Sequence, residues 1–266
     1  MRRRDADDHR DRRPPRHGRI VISDRDYRAL TDVRVHEPGT VADALAARRR
    51  RDQLTRAGML FVVAADHTAR GWSALGDELR AMADRRSMLE RILTALAHPR
   101  ADGVLASADI IEDLVLLGAL DDRAAVGTMN RGGLAGASWE LDDRFTAYDA
   151  DHLVAANLDA GKMLLRLDLA DERTLPTLDA CSDAVQALHD HELMAMVEPI
   201  PARRDPSGAL IWDADPERLL QAVGRLRRAR WLVGAHVAED PGDGRHRRGG
   251  GDDDAAAAAP RRRAGA

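Results

Sequence analysis

An α/β fold, its parallel sheet curled as an incomplete TIM (β/α)8 barrel, is predicted by two features of the sequence. Apolar runs of strand length alternate five times with helical patterns between Met59 and Pro199. Most of those runs end in polar residues: Asp66-His67, Asn130-Arg131, Arg166 with Asp168, and Glu198. The alternation alone also fits a doubly wound sheet. The endings favour the barrel, because barrels gather polar side chains from successive strand ends onto one face. No G-x-G-x-x-G follows the first run, so a dinucleotide fingerprint is absent, and Gly132-Gly133 is too short to indicate phosphate binding.

Each element has its own signal. Residues 1–18 crowd arginine and aspartate and are expected to form a disordered tail. Asp24 to Val33 reads as a short helix with Tyr27, Leu30 and Val33 on its apolar face. Thr40 to Arg56 reads as a longer one, with Val41, Leu45 and Leu54 apolar and Arg49-Arg50-Arg51 on the polar side. Met59 to Ala65 is a continuous apolar run, the pattern of a parallel strand buried on both faces. Met82 to Ala97 returns to helical spacing through Met88, Leu89, Ile92, Leu93 and Leu96. Gly103 to Ala106 is a short strand, and Ser107-Ala108-Asp109 opens a helix over Ile110 to Leu117.

Ala124 to Met129 is a third strand, running into the glycine-rich loop Asn130 to Gly136. A helix follows Asp149 as far as Leu158, and Lys162 to Leu167 is the fourth strand. Leu175 to His189 is helical, Leu193 to Pro199 is the fifth strand, and Glu217 to Val223 begins another helix. The partial barrel is thus expected over residues 19–224, with a low-complexity tail over 225–266.

Bulk properties exclude several classes. A 44% hydrophobic share supports a core, and 32% charged residues support solubility. No stretch approaches the roughly 18 apolar residues of a membrane span. Met1 to Arg19 has arginines without an apolar segment behind them, so no secretory signal is expected. The single cysteine, Cys181, excludes a disulfide framework and a cysteine-rich zinc site, and its place in a helical pattern marks it as a core residue. A cytoplasmic protein is expected, with no membrane or nucleic-acid partner. The arginine-rich ends are mixed with aspartate and lack aromatic stacking platforms, so solvated tails account for them.

The chemistry centres on Gly161 to Asp168, which carries the one lysine in the chain, Lys162. Arginine stays protonated, whereas a buried lysine can lose its proton and serve as base or nucleophile. The alternative is an ordinary strand-end lysine with its charge in solvent. An acid at one strand end, a lysine on another and a glutamate on a third suit carbon–carbon cleavage through an iminium, with a carboxylate moving the hydroxyl proton. For Asp66-His67 the alternative is a helix N-cap beside a loop histidine, and for Glu198 a structural salt bridge to an arginine.

Several segments together resemble the class I aldolase superfamily of TIM barrels, which includes deoxyribose-phosphate and tagatose-bisphosphate aldolases. They are Ala64-Ala65-Asp66-His67, Gly127 to Leu134, Asp142 to Thr146, Gly161 to Arg166, and Met196-Val197-Glu198-Pro199. The likeness covers about Ala42 to Val223 and is nearest to an actinobacterial barrel family found with inositol-catabolism genes. It implies catalytic roles for Asp66, Lys162 and Glu198, and substrate contacts for His67, Asn130, Arg131 and Arg166. The implied reaction is retro-aldol cleavage of a phosphorylated keto sugar or sugar acid through a Schiff base, without metal or cofactor. The substrate it points to is 2-deoxy-5-keto-6-phosphogluconate, and a homo-oligomer is compatible with the likeness.

The resemblance stops short of the end of the chain. The superfamily's Schiff-base lysine lies on the sixth strand, so Lys162 is by likeness the auxiliary lysine, and no lysine follows it. After Gly224 the chain turns to arginine, glycine, aspartate and alanine runs, the signature of a GC-rich gene read out of frame. One base over, codons for His236 to Pro241 permit Thr-Trp-Leu-Lys-Ile-Pro, a strand with the missing lysine. A frameshift near Gly224 and an inactive product are therefore expected. Two other readings remain: an arginine-tailed nucleic-acid-binding protein, and a barrel isomerase using Asp66 and Glu198 without a lysine.

Overall fold

Six helices and six strands follow one another in a computed structural model that describes residues 18–66, 83–130, 145–168, 170–208 and 210–212, with 215, 217 and 220. The terminal tails, the Glu217–Val223 helix and the glycine-rich loop after Asn130 lie largely outside these residues.

Helix α1 (Asp24–His36) is capped by Ser23, whose hydroxyl accepts from the Asp26 amide. Helix α2 (Pro38–Ala47) starts with proline in its first turn, where a missing N–H costs nothing. It ends well before Arg56, because Arg48 leaves the helix in an extended conformation to reach a buried partner described below. Strand β1 (Val62–Ala65) is shorter than the apolar run that announces it, and Met59 and Phe61 are exposed. Helix α3 (Arg85–Leu96), capped by Asp84, precedes β2 (Gly103–Ala106), which keeps its sequence-predicted bounds. Ser107 stands at the N-cap of α4 (Ala108–Leu116), and β3 (Ala124–Thr128) follows.

Helix α5 (Ala150–Ala155) is capped by Asp149 and stops three residues short of Leu158, since Asn157 adopts positive φ to turn the chain into β4 (Ala160–Leu167). After α6 (Thr174–Asp190), β5 (Met194–Arg204) runs five residues past Pro199. It extends because Ile200 and Pro201 stay in register with the end of β4 and Ala202 to Arg204 pair antiparallel with β6 (Leu210–Trp212), a hairpin that the sequence patterns do not announce.

The strands lie side by side in chain order. β1 to β5 are parallel and curl into half a barrel, and β6 joins only the end of β5. Five β/α-type strands in that order support the incomplete barrel; an eight-stranded closure is not seen among the described residues. Side-chain alternation divides the sheet cleanly. The outer face, including Val104, Ala106, Ala125, Met163, Leu165 and Val197, packs under Leu89, Ile92, Ile110, Ile111, Leu114 and Leu188 from the helices. The inner face has a smaller apolar layer of Leu105, Val126 and Ala160, flanked by half-buried Val62, Met194 and Met196. β2, β3 and β4 are buried throughout, as central parallel strands covered on both faces should be. No helix among the described residues is long and apolar enough to cross a membrane.

Candidate active site

The inner face becomes charged one layer above that apolar floor. Lys162 is the third residue of β4, in register with Thr128 on β3 and Met196 on β5. Alternation along β4 turns it inward with Ala160, Leu164 and Arg166. Its side chain is only 3% exposed, which rules out the solvent-facing strand-end alternative. Asp66 stands immediately after β1, two residues beyond Ala64 on the same face. Glu198, on β5, is in register with Leu164 of β4 and stands one inward position above Met196.

The lysine side chain joins these two acids. Its Nζ lies 2.6 Å from Asp66 Oδ2 and 2.6 Å from Glu198 Oε2. Three elements separated widely in sequence thus deliver one cation between two carboxylates. Burial pulls the Lys162 ammonium towards neutrality, but Asp66 and Glu198 outweigh it, and its pKa sits above the ordinary lysine value. At neutral pH Lys162 is therefore an ammonium that donates to both acids. It is no free amine.

Asn130 and Arg166 lie beside this group, both buried. Asn130 acts on the backbone: its Nδ2 donates to the Leu164 carbonyl (2.7 Å), and its Oδ1 accepts from the Leu164 amide (2.9 Å). Backbone pairing of β3 with β4 runs only to Thr128 and Lys162, so the asparagine amide continues the ladder where the main chain departs. It thereby fixes β4 between Lys162 and Arg166. His67 and Arg131, expected to touch substrate, lie outside the described residues. Cys181 is buried with Sγ 4.0 Å from Met163 Sδ, the core position its helical pattern suggests.

Two features escape the sequence patterns. At the N-terminal end of the strands Arg48 and Asp159 form an ion pair at 2.5 Å, both side chains 1% exposed. Arg48 also donates to the carbonyls of Asn157 and Arg123, and Asp159 accepts from the Arg51 and Ala125 amides. Arg48 directly precedes Arg49-Arg50-Arg51, which read as the polar side of a helix, and its partner lies 111 residues away; nothing local signals it. At the other end, Asp168, Ala170, Asp171, Arg203 and Arg204 line a cavity of about 430 Å³ beside the β5–β6 hairpin. The hairpin builds it, so its arginines carry no apolar-run signal. Among the described residues no group of three or more His, Cys, Asp or Glu is placed to hold a metal ion.

Comparison with known proteins places this geometry in context. The sequence profile of the Cgl0159-like family matches residues 58–226. The crystal structure of Cgl0159 from Corynebacterium glutamicum (Brevibacterium flavum) is 43% identical and superposes with a TM-score of 0.73, over 80% of this chain and 71% of that one. No curated protein matches the chain.

Proposed function

The chain belongs to the Cgl0159-like family, and on that premise we propose that it carries one part of a class I aldolase site: the proton-handling acids and the auxiliary lysine. The observation that carries this reading is the pair of 2.6 Å contacts from Lys162 to Asp66 and Glu198 on the inner face, at the C-terminal side of the strands. A cation fixed there lowers the pKa of any amine brought beside it and stabilises negative charge developing on a sugar hydroxyl. Asp66 accepts the hydroxyl proton as the carbon–carbon bond breaks, and the bonding electrons pass into an iminium made on a second lysine. Arg166 faces the same interior, two inward positions along β4 from Lys162, and is assigned to the anionic end of a phosphorylated keto sugar or sugar acid. The specific substrate that the likeness suggests is 2-deoxy-5-keto-6-phosphogluconate.

Lys162 cannot be both helper and nucleophile. It is held as an ammonium, and the sequence contains no other lysine. This chain is therefore inactive as a Schiff-base enzyme as it stands. Borohydride reduction in the presence of a keto-sugar phosphate tests both halves of the reading. The chain should give no adduct. A chain with its frame restored after Gly224 should give one on the new lysine, and Lys162→Met should then lower kcat by about 10²-fold or more. Turnover with a trapped Lys162 adduct in the present chain would sink the assignment, and so would a restored chain that traps no keto-sugar phosphate.

A further inference from the structure

We infer that Thr128 and Asn130 are a pair of positioning residues: from β3 they brace the strands on both sides and set the span across which Lys162 reaches Asp66. The inference rests on the reading of Lys162, Asp66 and Glu198 as the site. It gives Asn130 a different role from the substrate contact that the likeness implies.

The span is wide. Asp66 follows β1 and Lys162 stands on β4, so β2 and β3 lie between them. The lysine Nζ nevertheless closes to 2.6 Å on Asp66 Oδ2. Such a contact tolerates little drift in strand spacing, because a hydrogen bond weakens once donor and acceptor separate beyond about 3.2 Å. Supporting side chains have to hold a constellation of this kind to within about 0.5 Å.

On the β4 side the brace takes over where main-chain pairing ends. The Met129 amide donates to the Lys162 carbonyl at 2.9 Å. The next bond of a parallel ladder would join the Leu164 amide to the Met129 carbonyl, but that carbonyl accepts from the Ala147 amide at 3.1 Å. The Leu164 amide turns to Asn130 Oδ1 instead, and Asn130 Nδ2 donates back to the Leu164 carbonyl. Leu164 lies midway between Lys162 and Arg166 and in register with Glu198, so one amide holds the residue around which these three are arranged.

On the other side the Thr128 hydroxyl donates to the Ala106 carbonyl of β2 at 3.2 Å. Ala106 is in register with Ala65, the residue before Asp66. Thr128 and Asn130 are both buried, so water does not readily replace either set of bonds. Two residues of one strand thus tie the acid's side of the site to the lysine's side.

The test uses the one lysine in the chain as its own probe. Acetic anhydride modifies free amines, here Lys162 and the amino terminus, which peptide mapping separates. The acetylation rate of Lys162, divided by the unfolding constant from urea curves, removes labelling that follows global unfolding. Leu114→Ala, in the core under the helices, is the control and should keep the parent's ratio. Asn130→Ala should raise the ratio about tenfold or more, and Thr128→Val, which removes the hydroxyl at nearly the same volume, about threefold. An unchanged ratio in either variant that folds overturns the inference, as would be seen for an amide that only touches substrate. An equal rise in Leu114→Ala overturns it too. A parent chain labelled as fast as free lysine overturns both the brace and the site, whereas a slow parent with unchanged variants overturns the brace alone. Raised ratios beside a frame-restored chain that traps no keto-sugar phosphate uphold the brace and remove the aldolase reading.

Discussion

Lys162 shows how much electrostatic stability one side chain can hold. Replacing it by methionine leaves Asp66 and Glu198 facing each other with their shared cation gone, and breaking a buried pair in this way costs about 3–5 kcal/mol. Urea denaturation should show that loss, and a variant as stable as the parent chain would mean that the two acids find other partners. Asn130→Ala should cost about 1–3 kcal/mol, because it strands the Leu164 amide and carbonyl. The sequence reveals the first group because a solitary lysine and polar residues closing apolar runs are visible by type and position. It conceals the work of Asn130, since an amide that replaces a backbone partner looks like any loop asparagine. It conceals the Arg48–Asp159 pair for a different reason: the two residues lie 111 positions apart, on either side of the six described elements from β1 to α5.

At the scale of elements, strand identity is legible and strand limits are set by tertiary contacts. β2 keeps its predicted bounds because Gly103 and Ala106 are fixed by neighbours on both sides. β5 outruns its pattern because β4 holds it in register to Pro201 and β6 then pairs with Ala202 to Arg204. Helix α2 stops early because Arg48 is worth more against Asp159 than inside another helical turn. Close strand approach gives a sharper prediction. A Cβ at Gly103 would lie 2.1 Å from the Ala124 carbonyl oxygen, whereas one at Gly161 would meet the side chains of Met129, Leu153 and Leu188 at 2.6–3.0 Å. Side chains can shift and a paired backbone cannot. Gly103→Ala should therefore destabilise by more than the usual ~1–3 kcal/mol of overpacking, and Gly161→Ala should fall within it. Comparable melting temperatures for the two would contradict this ranking.

Helices α1, α3 and α4 are joined by Arg34 and Arg85 converging on Asp113, with Glu112 and Asp109 completing the network. Burial opposes ionisation of Asp109, yet the Ser107 hydroxyl and Arg85 hold its pKa below the ordinary 3.8. A depressed carboxylate contributes stability above its unfolded pKa and loses it as pH falls through the folded one. Acid denaturation below about pH 4 should accordingly be less steep in Asp109→Asn.

Among the described residues the helix-packed face of the sheet is buried while Val62, Met194 and Met196 on the inner face are half-buried, and this difference bears on the gene. Five strands and their helices are readable because each carries its own apolar period. Residues after Gly224 have no such period. The family match ends at residue 226, two positions later, where a shifted reading frame would end it. The nucleotide sequence around Gly224 should thus encode, one base over, a strand-length apolar segment with a lysine near the positions now read as Glu239-Asp240. Translating that frame should yield a chain that unfolds cooperatively and no longer binds a hydrophobic dye, since the new strands would cover Val62, Met194 and Met196. DNA that cannot encode such a strand would eliminate the frameshift. A restored chain that still binds the dye would show that the concave face is closed by something other than its own missing units.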